Sequence, residues 1–471
     1  MSAAPGFTVQ SIELFERPVV LRLPFRFGVV TLTQCPQAFV RTRVRLADGS
    51  ESTGAAAELM APKWFDKNLT LTNEDNFNQL RDVLRMARDA YLADASPTTA
   101  FGHFARHHDT HLAAADARGF NPLLASYGTA LVDRALLDAL LRALGVSFYD
   151  GVRANLPGID ASHPEFSGLE LGRFVERLAP SPTIQARHTV GLVDPITAAD
   201  VSTPVADGLP QTLEEVVARY GHRYFKLKVC GKLDADIDRL TRIASVLDRD
   251  PRPYFASLDG NEQFENAEQV EALLARMSST PALRRLDGAI LFVEQPITRA
   301  HALEADFRTR PLSKPVIIDE SDGTLDAFVR ARACGYDGIS SKTCKGIYKS
   351  LLNAARCAAW NEELGSARYF MSAEDLTTQA GLSVQQDLAL VSLLGIGHVE
   401  RNGHHYVNGM AAMPAAEQQA FLDAHPDLYE RSHGAVRLAI REGQLAIGSL
   451  GCAGFASAAT PDFDAMQRIG G

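Results

Sequence analysis

Lysines and carboxylates recur where short apolar runs of this chain end. Tyr224-Phe225-Lys226-Leu227-Lys228 carries two lysines two residues apart, and in a strand that spacing puts both on one face. Ser257-Leu258-Asp259-Gly260-Asn261 does the same with Asp259 and Asn261. Glu294 closes Phe292-Val293-Glu294-Gln295-Pro296, Asp319 and Glu320 close Ile317-Ile318-Asp319-Glu320-Ser321, and Lys342 and Lys345 stand in the next run. Three successive strand ends thus present Asp259, Glu294 and Asp319. Unpaired, three converging carboxylates would repel one another, and a divalent cation resolves the conflict. Oxygen-only ligands select a hard ion, Mg²⁺ first and Mn²⁺ as a substitute. Two other readings use the same residues. The lysines and carboxylates could be ion pairs around a rim, or Lys342 could be the desolvated amine of a Schiff-base lyase.

Charges at strand ends matter only if the strands are buried. From about residue 183 the texture is one of short apolar runs alternating with amphipathic helices, which predicts successive βα units and a parallel sheet. Eight runs are present: TIQARHTVGLV, RYFKLKVCG, PYFASLDGN, GAILFVEQP, KPVIIDES, YDGISSKTCKG, ARYFMSAED and IGHVERNG. Between them, sets such as Ile237, Leu240, Ile243 and Leu247 recur at helical spacing. Eight units predict a (β/α)₈ barrel, whose strand C-termini carry chemistry. Intervals of 31, 35, 25 and 23 residues separate Lys228, Asp259, Glu294, Asp319 and Lys342, each close to one βα unit. The competing doubly wound sheet loses support, since neither G-x-G-x-x-G at the first turn nor a P-loop is present.

Upstream, Phe39 to Leu46 alternates and ends in Asp48-Gly49, as a strand before a turn does. Phe77, Leu80, Val83, Leu84 and Ala87, then Leu131, Leu136, Leu140 and Leu144, predict helices. The expected organisation is therefore an α+β unit over 1–150, a connection over 151–182, the barrel over 183–410, and a segment over 411–471 that packs back on the first unit.

The 471 residues are 46% hydrophobic, with 47 Lys and Arg against 57 Asp and Glu for a net charge of −10. That balance, without a basic run, argues against nucleic acid as a partner. No window approaches the ~20 apolar residues of a membrane span, and the start lacks a leader pattern. A soluble cytoplasmic protein is expected. The six cysteines, without C-x-x-C pairs, read as reduced packed thiols.

These residues together resemble the enolase superfamily, and within it the muconate-lactonizing-enzyme subgroup. The K-x-K of Lys226 to Lys228 resembles that subgroup's second barrel strand, and D-x-N, E-Q-P and D-E-S resemble its metal-bearing third, fourth and fifth strands. Lys342 fills the place of its sixth-strand lysine. The resemblance implies an α/β fold, a modified (β/α)₈ barrel with an N-terminal α+β capping domain completed by the C-terminal segment. It implies Mg²⁺ on Asp259, Glu294 and Asp319, with Lys226, Lys228 and Lys342 catalytic. The expected activity is removal of the α-proton of a small carboxylic acid through a metal-stabilised enediolate, by an enzyme expected to be a homo-oligomer.

Racemisation, epimerisation, cycloisomerisation and, as the alternative, β-elimination stay open. Remoter are the Schiff-base lyase and a non-catalytic barrel. The seventh run lacks the histidine base of mandelate racemases, and the eighth, His398-Val399-Glu400-Arg401-Asn402, lacks the D-x-D of dipeptide epimerases. Lys228 and Lys342 are expected to face each other across the substrate, with pKa values lowered toward the range of a general base. Asn261, Glu320, Lys345, Glu374 and Glu400 are expected to orient ligands or touch substrate. Arg26, Phe27, Lys63 and Trp64 lie in segments resembling the family's specificity loops. His404 and His405 follow the eighth strand, in a surface loop or at a substrate contact.

Overall fold

The computed structural model describes residues 4–28 and 30–470, and of Phe27 the backbone. The chain opens with β1 (Phe7–Phe27), β2 (Val30–Leu46) and β3 (Glu51–Leu59), an antiparallel sheet in which β2 is central. The alternation that predicts a strand over 39–46 is the end of β2, and the turn is where expected: Gly49 adopts φ 85° and its N–H donates to Leu46 O at 3.0 Å.

Helices α1 (Asn73–Ala93), α2 (Ala100–Asp116) and α3 (Pro122–Leu144) cover this sheet. Thr72 caps α1 through a capping box with Asp75. Helix α3 is started by Asn121, whose side chain accepts from Leu124 N, and by Pro122 in its first turn; Gly145 stops it in the left-handed conformation. Buried on all sides from Leu123 to Leu141, α3 approaches β3 so closely that a Cβ on Gly54 would lie 2.2 Å from Ala139 N. Only glycine fits there.

Eight parallel strands follow: β4 (Thr183–Val190), β5 (Tyr224–Lys228), β6 (Phe255–Asp259), β7 (Ile290–Glu294), β8 (Val316–Ile318), β9 (Gly338–Ser341), β10 (Phe370–Ala373) and β11 (His398–Arg401). Each pairs with the next, and β11 pairs with β4 from His398↔Gln185 to Arg401↔His188, which closes a barrel of the expected class. All eight apolar runs supply one strand each. The core of the first half is Leu227, Leu258 and Val293 with Ile243, Val270 and Leu274 of the flanking helices.

The C-terminal segment returns to both parts. Gln467–Arg468 pairs with β1, Phe463 packs on Phe15 at 5.1 Å between ring centroids, and Phe455 stacks on Phe148 of the segment after α3 at 3.9 Å. Gln444–Ala446 instead extends the barrel by an antiparallel pairing with β4, a contact the sequence does not announce. All six cysteines are free. Among the described residues no helix is long and apolar enough to cross a membrane.

Candidate active site

Strand register sets the site. Lys228 pairs with Asp259 and Asp259 with Glu294, so three ionisable residues stand abreast at the C-terminal ends of β5, β6 and β7. Asp319 and Lys342 follow β8 and β9 by one residue each. Lys226, one pleat below Lys228, lies inside the barrel, 1% exposed.

Its ammonium is the hub. Lys226 Nζ is 2.9 Å from Asp259 Oδ2, 2.8 Å from Glu294 Oε2, 2.7 Å from Glu374 Oε2 and 3.0 Å from Glu400 Oε2. Burial disfavours its charged form, yet the carboxylates of Asp259, Glu294, Glu374 and Glu400 outweigh burial and hold the ammonium protonated far above the usual lysine range. Lys228 Nζ donates to Asp259 Oδ2 at 2.5 Å and Lys342 Nζ to Asp319 Oδ2 at 2.6 Å. Lys345 lies beneath, donating to Asp319 O at 2.8 Å and Ser340 Oγ at 2.8 Å, so it fixes Asp319 rather than facing the mouth.

One expectation about these amines fails. Lys342 was expected to have a lowered pKa, but its pKa is raised: burial pulls it down, and the Asp319 carboxylate at 2.6 Å pushes it up by more. The ammonium also sits 4.3 Å from the centroid of the Trp64 ring, a second stabilising partner.

The remaining expected residues divide. Glu374 and Glu400 both bind Lys226; Glu374 also pairs with Arg187, and Glu400 accepts from Thr189 Oγ1 at 2.5 Å and from Asp375 N at 2.8 Å. Asn261 donates from its backbone to Asp259 Oδ1 at 2.8 Å and from Nδ2 to Glu320 Oε1 at 3.2 Å, which orients both carboxylates. Of the capping segments, Trp64 reaches the site. Lys63 does not: its Nζ donates to Asn68 O and Leu71 O of its own loop at 2.8 and 2.5 Å. Arg26 is exposed on β1 outside the cavity lining, and the side chain of Phe27 lies outside the described residues. His404 and His405 are neither in a surface loop nor at the cavity; they pack outside the barrel against His188.

A pocket with about 390 Å³ of empty space, part of it open to solvent, lies over these groups. Lys226, Lys228, Asp259, Lys342 and Glu400 form its floor, and Phe25, Leu32, Ala61 and Trp64 of the capping domain form a largely apolar roof. The roof is fastened. Arg299 donates to Trp64 O at 2.8 Å and Phe65 O at 3.0 Å while its guanidinium grips Glu262 at 2.9 Å, and Lys67 donates to Asn261 O at 2.8 Å.

Sequence reasoning missed several members. Arg187, fully buried inside the barrel, donates to Ala373 O at 2.7 Å and pairs with Glu374. Its signal is a charge in the middle of the first apolar run, away from the strand ends that mark the other residues. Gln295 accepts from Asp319 N at 2.7 Å and Ser321 N at 3.1 Å, so it sets the backbone of the fifth strand's end. Its φ of 32°, with 40° at Asn261, 67° at Glu262 and 58° at Thr377, puts left-handed backbone at the barrel mouth, where each such residue costs on the order of 1–3 kcal/mol.

The donor set fits a hard cation. Buried oxygens Glu320 Oε2 and Asn261 Oδ1 have no hydrogen-bond donor, and both oxygens of Glu294 depend on the one Lys226 ammonium, at 2.8 and 2.9 Å. Six buried carboxylates (Asp259, Glu294, Asp319, Glu320, Glu374, Glu400) face five buried cations (Lys226, Lys228, Lys342, Lys345, Arg187). The uncompensated charge concentrates at Glu294, whose carboxyl is pushed well above its usual range by burial and by the charges of Asp259 and Glu374. In the present arrangement Asp259, Glu294 and Asp319 do not gather their oxygens within 4.8 Å of one another, because Lys226, Lys228 and Lys342 hold them.

Residues 209–449, just over half of the chain, match the family described as Enolase C-terminal domain-like. Among solved structures, a dipeptide epimerase from Enterococcus faecalis V583 complexed with Mg and L-Leu-L-Tyr superposes with a TM-score of 0.61 at 14% identity, covering 95% of this chain and 99% of that one. A muconate lactonizing enzyme from Mycobacterium smegmatis complexed with muconolactone gives 0.60 at 19% identity, covering 98% and 99%. An enolase from Bradyrhizobium complexed with magnesium and mandelic acid gives 0.58 at 15% identity, covering 95% and 97%. Identities this low speak for the fold alone. A search of curated proteins finds no match.

Proposed function

Because the chain belongs to the Enolase C-terminal domain-like family, and so is an enolase-superfamily isomerase or lyase of the mandelate racemase/muconate lactonizing kind, we propose that it removes the α-proton of a small carboxylic acid at its barrel mouth, leading to racemisation, epimerisation or cycloisomerisation. The observation that carries the reading is the pair of amines, Lys228 at the end of the second barrel strand and Lys342 just after the sixth, both lining one cavity with Asp259. Asp259, Glu294 and Asp319, aided by Asn261 and Glu320, would hold Mg²⁺. Bound there, it would supply positive charge against the charge that grows on the substrate carboxylate.

The chain's own residues do the rest. Lys226 fixes a permanent positive charge beside the position of the substrate carboxylate, where little water screens it. Either opposed amine must be neutral to accept the α-proton, so loosening the pairs with Asp259 and Asp319 is a condition of turnover. Trp64, Phe25 and Leu32 exclude water and suit an apolar substrate body. Glu400 is engaged by Lys226, Thr189 and Asp375 N, so the eighth strand offers no free carboxylate to a substrate ammonium, which disfavours dipeptides.

β-Elimination is the second reading, favoured by the asymmetry of the two amines. Lys342 is clamped between Asp319 and the Trp64 ring, as suits a fixed cation beside a single base, Lys228. Incubating a library of carboxylic acids with the protein in D₂O tests the proposal. α-Deuterium incorporation that requires Mg²⁺ and stops with EDTA is expected; incorporation that survives EDTA, with trapping by borohydride, would point to imine chemistry at Lys342 instead.

A further inference from the structure

Outside the barrel, three histidines from distant parts of the chain meet. Within β4, Arg187 and Thr189 turn inward to Glu374 and Glu400, so strand alternation turns His188 outward. His222 precedes β5 by two residues, and His404 lies in the single turn that follows β11. Their ring centroids are 5.3, 5.6 and 5.5 Å apart, and one nitrogen from each lies within 4.8 Å of the other two.

Four of the six ring nitrogens lack partners. His188 Nδ1, His222 Nε2 and both nitrogens of His404 are buried without a hydrogen bond, although His188 and His222 are only 2% and 1% exposed. Each unpaired buried polar group costs on the order of 1–3 kcal/mol, and here they cluster. His222 is already oriented: its Nδ1 contacts Ala186 O at 2.9 Å, and if Nδ1 carries the proton, the Nε2 lone pair faces the other two rings. Burial lowers the pKa of all three, His222 to about 4, so the rings stay neutral with lone pairs available.

We propose that His188, His222 and His404 form a second metal site, one that takes a borderline transition cation of the Zn²⁺ type. Three imidazoles select such an ion over Mg²⁺, which prefers the oxygens of the barrel mouth. At Zn–N distances of about 2.0–2.1 Å, tetrahedral nitrogens lie roughly 3.4 Å apart, so nitrogens now within 4.8 Å of one another need draw together by no more than about 1.4 Å. The fourth position is left to water or to His405, whose ring is 5.0 Å from that of His188. The site has a structural purpose. It ties the first strand to the segments beside the second and eighth, at the seam where β11 meets β4 and the barrel closes.

The test uses the full chain with excess Mg²⁺ present, which occupies the carboxylates. Co²⁺ titration should give the visible absorption of a tetrahedral nitrogen site at one ion per chain, and Zn²⁺ should displace it and raise the unfolding temperature. His222→Gln and His404→Gln should each weaken binding more than about 100-fold, since even residues that merely support a metal ligand are worth 10–100-fold. His404 is the less buried, so its variant serves if His222→Gln fails to fold. A wild-type chain that shows no tetrahedral Co²⁺ band, or a band unchanged in His404→Gln, overturns the proposal and leaves a packed aromatic cluster.

Discussion

Replacing Lys226 by methionine keeps the volume and removes the charge on which four buried carboxylates depend. The structure sets the size of the effect. Glu374 and Glu400 retain Arg187 and Thr189, but Glu294 has no other donor, and Asp259 keeps only Lys228 and the Asn261 N–H. Removing one partner of a buried ion pair costs about 3–5 kcal/mol, and Lys226→Met should cost at least that at neutral pH. Lys228→Met, which releases a single carboxylate, should cost less. Mg²⁺ should stabilise Lys226→Met more than the wild type, because it binds oxygens the lysine has vacated; at a concentration 100 times its Kd the gain is about 2.7 kcal/mol. Urea unfolding with and without Mg²⁺ reads both quantities. A Lys226→Met protein within about 0.5 kcal/mol of wild type, indifferent to Mg²⁺, would refute the view that the lysine and a cation compensate the same charges.

Other outcomes follow from groups away from that hub. Arg299→Met should release the Trp64 loop from the barrel mouth, raising KM about tenfold or more on an identified substrate with a smaller change in kcat; steady-state kinetics check this, and an unchanged KM would show that the roof needs no fastening. Burial pushes the Asp133 carboxyl up to about 8, against 3.8 for a free aspartate, despite the hydrogen bond from Tyr91. The folded chain therefore binds that proton more tightly than the unfolded one, and the group's contribution to stability falls as pH rises from about 4 to 8. Asp133→Asn should gain on wild type across that window, and unfolding free energies at pH 5 and pH 8 with the same difference would contradict the shift.

Much of the site could be read from the sequence, because a strand buried on both faces is nearly all apolar and any charge at its end stands out. Asp259, Glu294, Asp319, Lys226, Lys228 and Lys342 were legible for that reason, and the eight runs fall on eight strands. Partnership was not legible. Whether Lys342 is poised as a base or clamped by Asp319 and Trp64 depends on contacts between residues far apart in the chain. Arg187 escaped because its partner Glu374 lies 187 residues away. The histidine cluster is the extreme case, three short segments joined only by closure of the barrel, and nothing in HHY or GHRY distinguishes it from ordinary surface histidines. In the capping segments the cationic residues suggested substrate contacts, yet Lys63 serves its own loop, and it is apolar residues, Trp64 with Phe25, Leu32 and Ala61, that reach the cavity.

The central claim is that Lys228 and Lys342 flank the α-carbon of a carboxylic acid. NMR detection of α-proton exchange in D₂O, with Mg²⁺ and an acid that the wild type turns over, tests it most directly in the two single alanine variants. For a 1,1-proton transfer, Lys228→Ala and Lys342→Ala should each abolish racemisation while each still exchanges the α-proton of one enantiomer, the opposite one in the two variants. For cycloisomerisation or elimination, loss of the base should abolish turnover, whereas Arg in place of the other lysine should retain a part of it. Both alanine variants exchanging and turning over at the wild-type rate would contradict the account.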